Sequence, residues 1–166
     1  MWQIYSKINS VKKIFIISLL IILAPGKFYS GELTVSGEDI KKSEDVNLQK
    51  AYFAGGCFWC MEEFFDKIEG VIQSTSGYSG GHLKNPTYKE VIYKDTGHVE
   101  AIEIIYDKKI ISYEELLDIF WKNIDPFDKY GQFCDKGKSY RSVVFFDNKK
   151  QKKIIQNSIK RIEKRF

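Results

Sequence analysis

The chain has 166 residues, which is enough for one domain with a buried core, and its hydrophobic content of 43% is ordinary for a globular protein. Residues 1–30 contribute a net charge of +4, residues 31–146 contribute −6 and residues 147–166 contribute +6. Because the net positive charge lies at the two ends and the body of the chain is net negative, the composition argues against a nucleic-acid-binding protein.

The N-terminus has the pattern of a targeting segment. Lys7, Lys12 and Lys13 precede an apolar run at 14–24, which suits the hydrophobic region of a signal peptide and is short for a membrane span. We therefore predict that residues 1–30 are a signal peptide or an uncleaved N-terminal anchor. The protein is then expected in the periplasm or another extracytoplasmic compartment, with membrane contact only through this segment.

Residues 31–47 mix acidic residues and lysines with little apolar content, which predicts a polar linker. A single domain is expected over residues 48–166. Its first element is a strand at 48–54, followed by Gly55 and Gly56 and then a helix over about 57–68. The glycines permit a sharp turn from strand to helix, and this turn places Cys57 at the start of the helix. A helix N-terminus favours an anion, and a thiol there ionises more easily.

The middle of the chain alternates strands and helices. A strand is predicted at 71–78, a short helix at 88–93 and a second strand at 99–106, where both faces are mostly apolar. Glu100 lies on one of these apolar faces. A buried carboxylate has a raised pKa and can act as a general acid, although a glutamate near a strand end can also reach water.

The C-terminal third is predicted to hold two further helices and a strand. A capping box at Ser112 begins a helix whose core stripe includes Ile124 and which stops at Asp125 and Pro126. A loop at 127–139 and a strand at 140–146 follow. The last helix has apolar residues at helical spacing and lysines opposite, which is typical of a surface helix packed on a sheet: Ile155, Ile159, Ile162 and Phe166.

Cys57 and Cys60 form a C-x-x-C motif at the start of the first helix. Three cysteines are too few for a disulfide scaffold, so chemistry is the more plausible use of them. The motif suits a thiol–disulfide exchanger, a metal site or a nucleophile with a resolving partner. A zinc site built on these cysteines, Cys134 and either His82 or His98 matches no usual ligand spacing, so no metal is expected. The large rings of Phe58 and Trp59 favour a pocket for a small apolar group.

Five motifs at unbroken spacing resemble the A-type peptide methionine sulfoxide reductases across residues 51–146. These motifs are GGCFWC at 55–60, NPTY at 85–88, DTGHVEAIEIIYD at 95–107, SYEELLDIFW at 112–121 and FCDKGKSYRS at 133–142. The resemblance implies an α+β domain, a two-layer sandwich of a mixed β-sheet packed by helices with a ferredoxin-like core. It implies no cofactor.

The resemblance also assigns roles to four residues of the first motif and the central strand. Cys57 matches the nucleophile that attacks the sulfoxide sulfur, and Glu100 matches the acid that protonates the sulfoxide oxygen. Phe58 and Trp59 match the aromatic pocket that receives the S-methyl group. The implied product is methionine, with Cys57 left as a sulfenic acid.

Three further residues match the family's site. Tyr88 and Tyr140 match hydroxyls that hydrogen-bond the sulfoxide oxygen, and Asp135 matches an acidic residue that organises the site and its water. Taken singly, the tyrosines suit a core and the aspartate suits a turn. The combination with Cys57 at family spacing favours a shared site.

The implied reaction is reduction of methionine S-sulfoxide, free or in oxidised proteins, by a monomeric enzyme that a thioredoxin-like dithiol protein regenerates. Cys60 is the favoured resolving cysteine and Cys134 is the alternative. The family usually continues past Phe166 with an acid and a histidine, so the resemblance implies a chain truncated at its C-terminal end. A redox carrier without sulfoxide chemistry and an inactive binding remnant are the competing classes.

Overall fold

The structure is a computed structural model that describes residues 3–6 and 47–165. The predicted signal segment and linker lie outside the described residues, apart from residues 3–6 and Asn47. The strands are β1 (Gln3–Ser6), β2 (Leu48–Ala54), β3 (Val71–Ser79), β4 (Val99–Asp107), β5 (Gly131–Gln132), β6 (Asp135–Lys136) and β7 (Val143–Phe146). The helices are α1 (Phe58–Phe65), α2 (Tyr88–Tyr93), α3 (Tyr113–Lys122), a 3-10 helix (Lys138–Tyr140) and α4 (Lys149–Arg165).

Five of the described strands form one mixed sheet in the order β1-β7-β2-β4-β3. β1 runs parallel to β7, and the other neighbours are antiparallel. The path β2-α1-β3-β4-α3-β7, together with the order β7-β2-β4-β3, is the ferredoxin-like arrangement. The predicted α+β domain with a mixed sheet packed by helices is confirmed.

The main core lies between one face of the sheet and helices α1, α3 and α4. Alternate residues of β2 and β4 point into it, as the period of two in a strand requires. Its most buried members are Phe53, Phe65, Ile102, Ile104, Tyr106, Leu116, Leu117, Phe120 and Ile155. The opposite face carries a smaller cluster: Ala54, Val99, Ala101, Val143 and Phe145.

Local sequence signals place two of the helix starts. The predicted capping box at Ser112 is confirmed, because its hydroxyl accepts the N–H of Glu115 and the Glu115 carboxylate accepts the Ser112 N–H. Thr87 and Glu90 form the same reciprocal pair at the start of α2. Both boxes satisfy backbone donors that a helix start would otherwise leave without partners.

Two predicted helices are too long. α1 ends at Phe65 and not near residue 68, and the Asp66 carboxylate that follows it accepts the N–H of Ser74 in β3 at 2.9 Å. α3 ends at Lys122, where Asn123 caps it by donating to the Ile119 carbonyl at 2.8 Å. Asn123 therefore satisfies a last-turn carbonyl of α3, whereas α1 ends in tighter turns in which the Lys67 and Ile68 N–H groups donate to the carbonyls of Phe64 and Phe65.

The predicted strand at 140–146 is also partly wrong. The chain through Tyr140 is a 3-10 helix that starts after Gly137, whose φ is +139°. The Arg141 side chain donates to the Lys138 carbonyl at 2.8 Å and holds this turn closed, so the strand begins only at Val143. The predicted loop at 127–139 contains the small β5–β6 hairpin.

α4 is a surface helix with one buried stripe, as the sequence predicts. Ile155 is buried, and Ile159 and Ile162 are partly buried against the main core. On its outer side, Arg161 bridges to Glu114 at 2.8 Å and to Asp118 at 3.0 Å on α3. Within residues 3–6 and 47–165, no helix combines the length and the apolar character needed to cross a membrane.

Candidate active site

The turn between β2 and α1 sets the position of Cys57. Gly56 has a φ of +87°, a left-handed conformation that favours glycine. A Cβ atom there would lie 2.7 Å from the Cβ of Gln132. The absence of a side chain at Gly56 therefore lets residues 125–137, a loop that contains the β5–β6 hairpin and is called the 125–137 loop below, approach the turn. Cys57 follows as the N-cap of α1, with its carbonyl accepting the Met61 N–H at 3.2 Å. The predicted glycine turn is confirmed.

Glu100 lies beside this helix start, near the beginning of β4. Its side chain faces the helices, the residue is only 2% exposed, and it is therefore not a strand-end glutamate in contact with water. Oε2 accepts the backbone N–H of Phe58 at 3.1 Å. Oε1 is buried and has no hydrogen-bond partner among the described residues.

The environment of Glu100 favours its neutral form. Burial raises the pKa of its carboxyl, the Phe58 N–H opposes that rise, and the negative charge of Asp135 adds to it. Because Oε2 is engaged by the N–H, a proton on this carboxyl belongs on Oε1. The geometry thus offers an acid whose proton has no acceptor within the described protein.

Cys60 lies one turn along α1 from Cys57. The pKa of the Cys60 thiol is raised, first by a hydrogen bond with Cys57, then by loss of hydration and by the negative charges of Cys57, Asp135 and Glu63. Cys60 thus neighbours Cys57 on the first turn of α1. Both cysteines are free thiols, and Cys60 is solvent-exposed.

Four aromatic rings form one wall of the site. The buried Phe58 ring has its centroid 5.0 Å from that of Trp59, 5.5 Å from that of Tyr78 and 6.3 Å from that of Tyr88. Trp59 and Tyr88 stack at 5.6 Å, with both rings partly in solvent. The aromatic wall is thus buried at Phe58 and exposed to solvent at Trp59, which suits a pocket for a small apolar group.

Tyr140 brings its hydroxyl to the same place. The pKa of its phenol is raised by burial, by the charges of Glu100 and Tyr88, by a hydrogen bond with Tyr88 and by the charge of Asp135. The two tyrosine hydroxyls therefore lie together near the Glu100 carboxyl. Eight of the predicted site residues converge on one region: Cys57, Phe58, Trp59, Cys60, Tyr88, Glu100, Asp135 and Tyr140.

Cys134 is the predicted residue whose connection to Cys57 is weakest. It lies with Phe133 at the tip of the β5–β6 hairpin, and its thiol is exposed. The next residue, Asp135, acts on Cys60 and Glu100, so the hairpin borders the site. The structure places Cys60 on the first turn of α1 next to Cys57, and Cys134 at the exposed tip of the β5–β6 hairpin.

Two residues of the site have no counterpart in the predictions from sequence. Tyr78 pairs with Glu100 across β3 and β4 and packs on Phe58, and burial followed by the charge of Glu100 raises its pKa. Gln132 is buried, and its amide joins the backbone N–H and carbonyl of Asp125 at 2.7 and 2.8 Å. The strand register, which the sequence did not specify, would have indicated Tyr78.

Within residues 47–165, no group of three or more histidine, cysteine, aspartate and glutamate side chains is arranged to hold a metal ion. One of the histidines considered as a zinc ligand has another use. His98 accepts the Gly81 N–H through Nδ1 at 3.3 Å, so its Nε2 carries the proton that is donated to the Leu83 carbonyl at 2.8 Å. The His98 ring therefore holds the 81–83 loop through two hydrogen bonds.

A family model described as peptide methionine sulfoxide reductase matches residues 49–166. The peptide methionine sulfoxide reductase MsrA of Streptococcus agalactiae is 50% identical over 111 residues, which cover 67% of this chain and 66% of that protein. The protein of the same name from Ligilactobacillus salivarius is 53% identical over 115 residues, with coverages of 69% and 67%. The chain thus spans about two thirds of the length of these curated relatives.

Two solved structures share the fold. Methionine sulfoxide reductase A of Corynebacterium diphtheriae superposes with a TM-score of 0.62 at 29% identity, covering 67% of this chain and 56% of that one. Reduced Mxr1 from Saccharomyces cerevisiae gives the same TM-score and identity, with coverages of 69% and 70%.

Proposed function

We infer that this chain reduces methionine sulfoxide with Cys57 as nucleophile and Glu100 as proton donor, since it belongs to the peptide methionine sulfoxide reductase family. One observation carries this proposal. Glu100 is buried against the first turn of α1 with Oε2 engaged by Phe58 and Oε1 without a partner, which is the arrangement a proton donor needs.

Substrate binding would use the aromatic wall and the two tyrosine hydroxyls. The S-methyl group packs against Phe58 and Trp59, where the rings provide apolar contact. The sulfoxide oxygen then lies towards the hydroxyls of Tyr88 and Tyr140 and the Oε1 of Glu100. These donors stabilise negative charge on the oxygen as the sulfur–oxygen bond weakens.

The chemical step transfers an oxygen from the substrate to the enzyme. The thiolate of Cys57 attacks the sulfoxide sulfur and forms a sulfur–sulfur bond, while the proton on Glu100 moves to the oxygen. The resulting hydroxyl group then passes from the substrate sulfur to the Cys57 sulfur as the sulfur–sulfur bond breaks. The substrate sulfur gains two electrons and leaves as the thioether of methionine. Cys57 loses two electrons and becomes a sulfenic acid, which is the reversible first oxidation state of cysteine. Glu100 recovers its proton from solvent.

Regeneration would proceed through a disulfide. The Cys60 thiol, which neighbours Cys57 on the first turn of α1, condenses with the sulfenic acid, releases water and forms the Cys57–Cys60 disulfide. A dithiol protein of the thioredoxin type then supplies two electrons and restores both thiols. We take Cys60 as the resolving cysteine because of this placement, and Cys134 as the alternative.

The proposed substrate is the S epimer of methionine sulfoxide, in oxidised proteins or free, reduced by a monomer outside the cytoplasm. The location rests on residues 1–30, in which lysines precede an apolar run. Fractionation of cells that express the full chain should recover it outside the cytoplasm, and recovery in the cytoplasmic fraction contradicts the location. A single peak of monomer mass in gel filtration is expected.

The activity is tested with purified full chain, dithiothreitol and the two epimers of N-acetyl-methionine sulfoxide. We expect the S epimer to be reduced and the R epimer to remain. Reduction of neither epimer, or of the R epimer alone, contradicts the proposal.

The placement of Cys57 and Cys60 on one helical turn also suits a disulfide carrier without sulfoxide chemistry. A carrier has no need of a buried acid beside its thiols. It should therefore exchange disulfides at an unchanged rate in a Glu100→Gln variant and leave both epimers of the sulfoxide untouched.

A further inference from the structure

Phe133 keeps an exposed aromatic ring in a conformation that disfavours it. It is the first of the two residues that connect β5 and β6, and its φ is +49°. Glycine is the residue that positive φ at such a turn position favours. The ring gains no compensating burial, since Phe133 is 66% exposed. Neither local backbone preference nor core packing accounts for a phenyl group here.

The hairpin tip lies beside the entrance of the site. Gln132, immediately before Phe133, is the residue against which Gly56 packs, and Gly56 adjoins Cys57. Asp135, two residues after Phe133, acts electrostatically on Cys60 and Glu100. The residues immediately before and shortly after Phe133 thus both interact with the site, so its ring lies at the edge of the site.

Other exposed rings occupy the same region of the fold. We call this set the aromatic rim, and it consists of Trp59, Tyr88 and Phe133. Its members lie at the starts of α1 and α2 and on the 125–137 loop. Single exposed apolar residues are ordinary on a monomer surface, but several of them on the segments around one pocket indicate a binding surface.

We propose that the aromatic rim binds the apolar side chains that flank an oxidised methionine in an unfolded or partly unfolded polypeptide. Methionine residues are mostly buried among apolar neighbours, and oxidation disrupts that packing and exposes those neighbours. A polypeptide whose sulfoxide reaches Cys57 must lay its flanking residues across the rim. This inference rests on the proposed function and adds to it a preference for apolar neighbours.

The test compares three substrates with dithiothreitol as reductant: N-acetyl-methionine S-sulfoxide, a pentapeptide with leucine on both sides of the S-sulfoxide, and a matched pentapeptide with serine there. The full chain should show a kcat/KM about tenfold higher for the leucine peptide than for the serine peptide, the size expected for partial burial of two apolar side chains. In the Phe133→Gly variant, this preference should fall to about twofold or less.

Phe133→Gly removes the ring and relieves the positive-φ conformation, so the variant should fold at least as well as the parent. Its kcat/KM for the small sulfoxide should change by less than about twofold. Ile72→Ser removes an equally exposed side chain from the edge strand β3 and should leave the leucine preference unchanged.

Three results overturn the inference. One is equal rates for both peptides in the parent chain. A second is an equal loss for all three substrates in Phe133→Gly, which indicates a purely structural role. The third is a loss in Phe133→Gly that appears only when a thioredoxin-type protein replaces dithiothreitol as the reductant, which assigns the rim to binding of that reductant. If the parent reduces none of the three substrates, the proposed function fails and this inference falls with it.

Discussion

Glu100 is the residue at which the requirements of stability and of chemistry conflict most clearly. A carboxylate that is 2% exposed, with one oxygen lacking any partner among the described residues, costs stability when it is ionised. Burial raises the pKa of Glu100 and thereby keeps it protonated over a wider range of pH. The same feature that weakens the fold at high pH supplies the proton for the sulfoxide oxygen.

The pH dependence of stability should reveal this conflict. The folded chain holds the Glu100 proton more tightly than the unfolded chain, whose glutamates have pKa values of about 4.3. As pH rises above that value, the unfolded chain releases this proton while the folded chain keeps it, so the parent's free energy of unfolding falls relative to that of Glu100→Gln. The gap should grow by about 1.4 kcal/mol for each unit by which the pKa is raised, and should vanish below about pH 4.

Urea titrations at several pH values measure this gap. Glu103→Gln is the matched control, because Glu103 lies on the opposite face of β4 and pairs with Lys50 at 2.9 Å. That surface pair is worth at most about 1 kcal/mol, and its removal should produce no gain that grows with pH. A Glu100→Gln variant whose stability parallels the parent at every pH contradicts burial of the carboxyl.

The resolving cysteine is a second question at the scale of single residues. Cys60→Ser should form methionine once per chain at the parent rate but lose at least about tenfold in steady-state turnover with a thioredoxin-type reductant, because no disulfide closes onto Cys57. Cys134→Ser is the control and should keep cycling. The reverse pattern would identify Cys134 as the resolving thiol.

At the scale of elements, the turn between β2 and α1 is the feature that most constrains the site. Gly56→Ala introduces a side chain at positive φ and a Cβ 2.7 Å from Gln132, so it should lower the free energy of unfolding by about 2–4 kcal/mol. Gly77→Ala in β3 is the control, because nothing lies within 4 Å of the added Cβ. That variant should be neutral or stabilised by about 0.5 kcal/mol. Chemical denaturation compares the two, and equal stabilities contradict the close approach of the 125–137 loop.

Local rules made several elements predictable from sequence. The glycines before Cys57, the capping box at Ser112 and the alternation that puts Glu100 on an apolar face each depend on neighbours within a few residues. The 125–137 loop was not predictable, because it is held by contacts across the fold, such as those of Gln132 with Asp125 and with the turn at Gly56. The place of Tyr78 in the site was not predictable for a related reason, since its pairing with Glu100 depends on strand register.

At the scale of the whole molecule, the ferredoxin-like sheet brings together residues that lie far apart in the chain. Cys57 and Glu100 are 43 positions apart, and Tyr140 lies a further 40 beyond Glu100. β4 pairs with both β2 and β3, so Glu100 lies beside the α1 start on one side and Tyr78 on the other. Composition and periodicity alone predicted strands and helices around a reactive cysteine, and the resemblance of the motifs supplied the α+β fold class and the substrate.

A single-turnover experiment tests the central claim most directly. Full chain in excess is mixed with methionine S-sulfoxide without reductant, and methionine and free thiols are measured against time. We expect one methionine for every two thiols lost in the parent chain, and a rate at least about 100-fold lower in Glu100→Gln, whose thiols still titrate fully before mixing. Methionine formation at the parent rate in Glu100→Gln would contradict the assignment of the proton to Glu100.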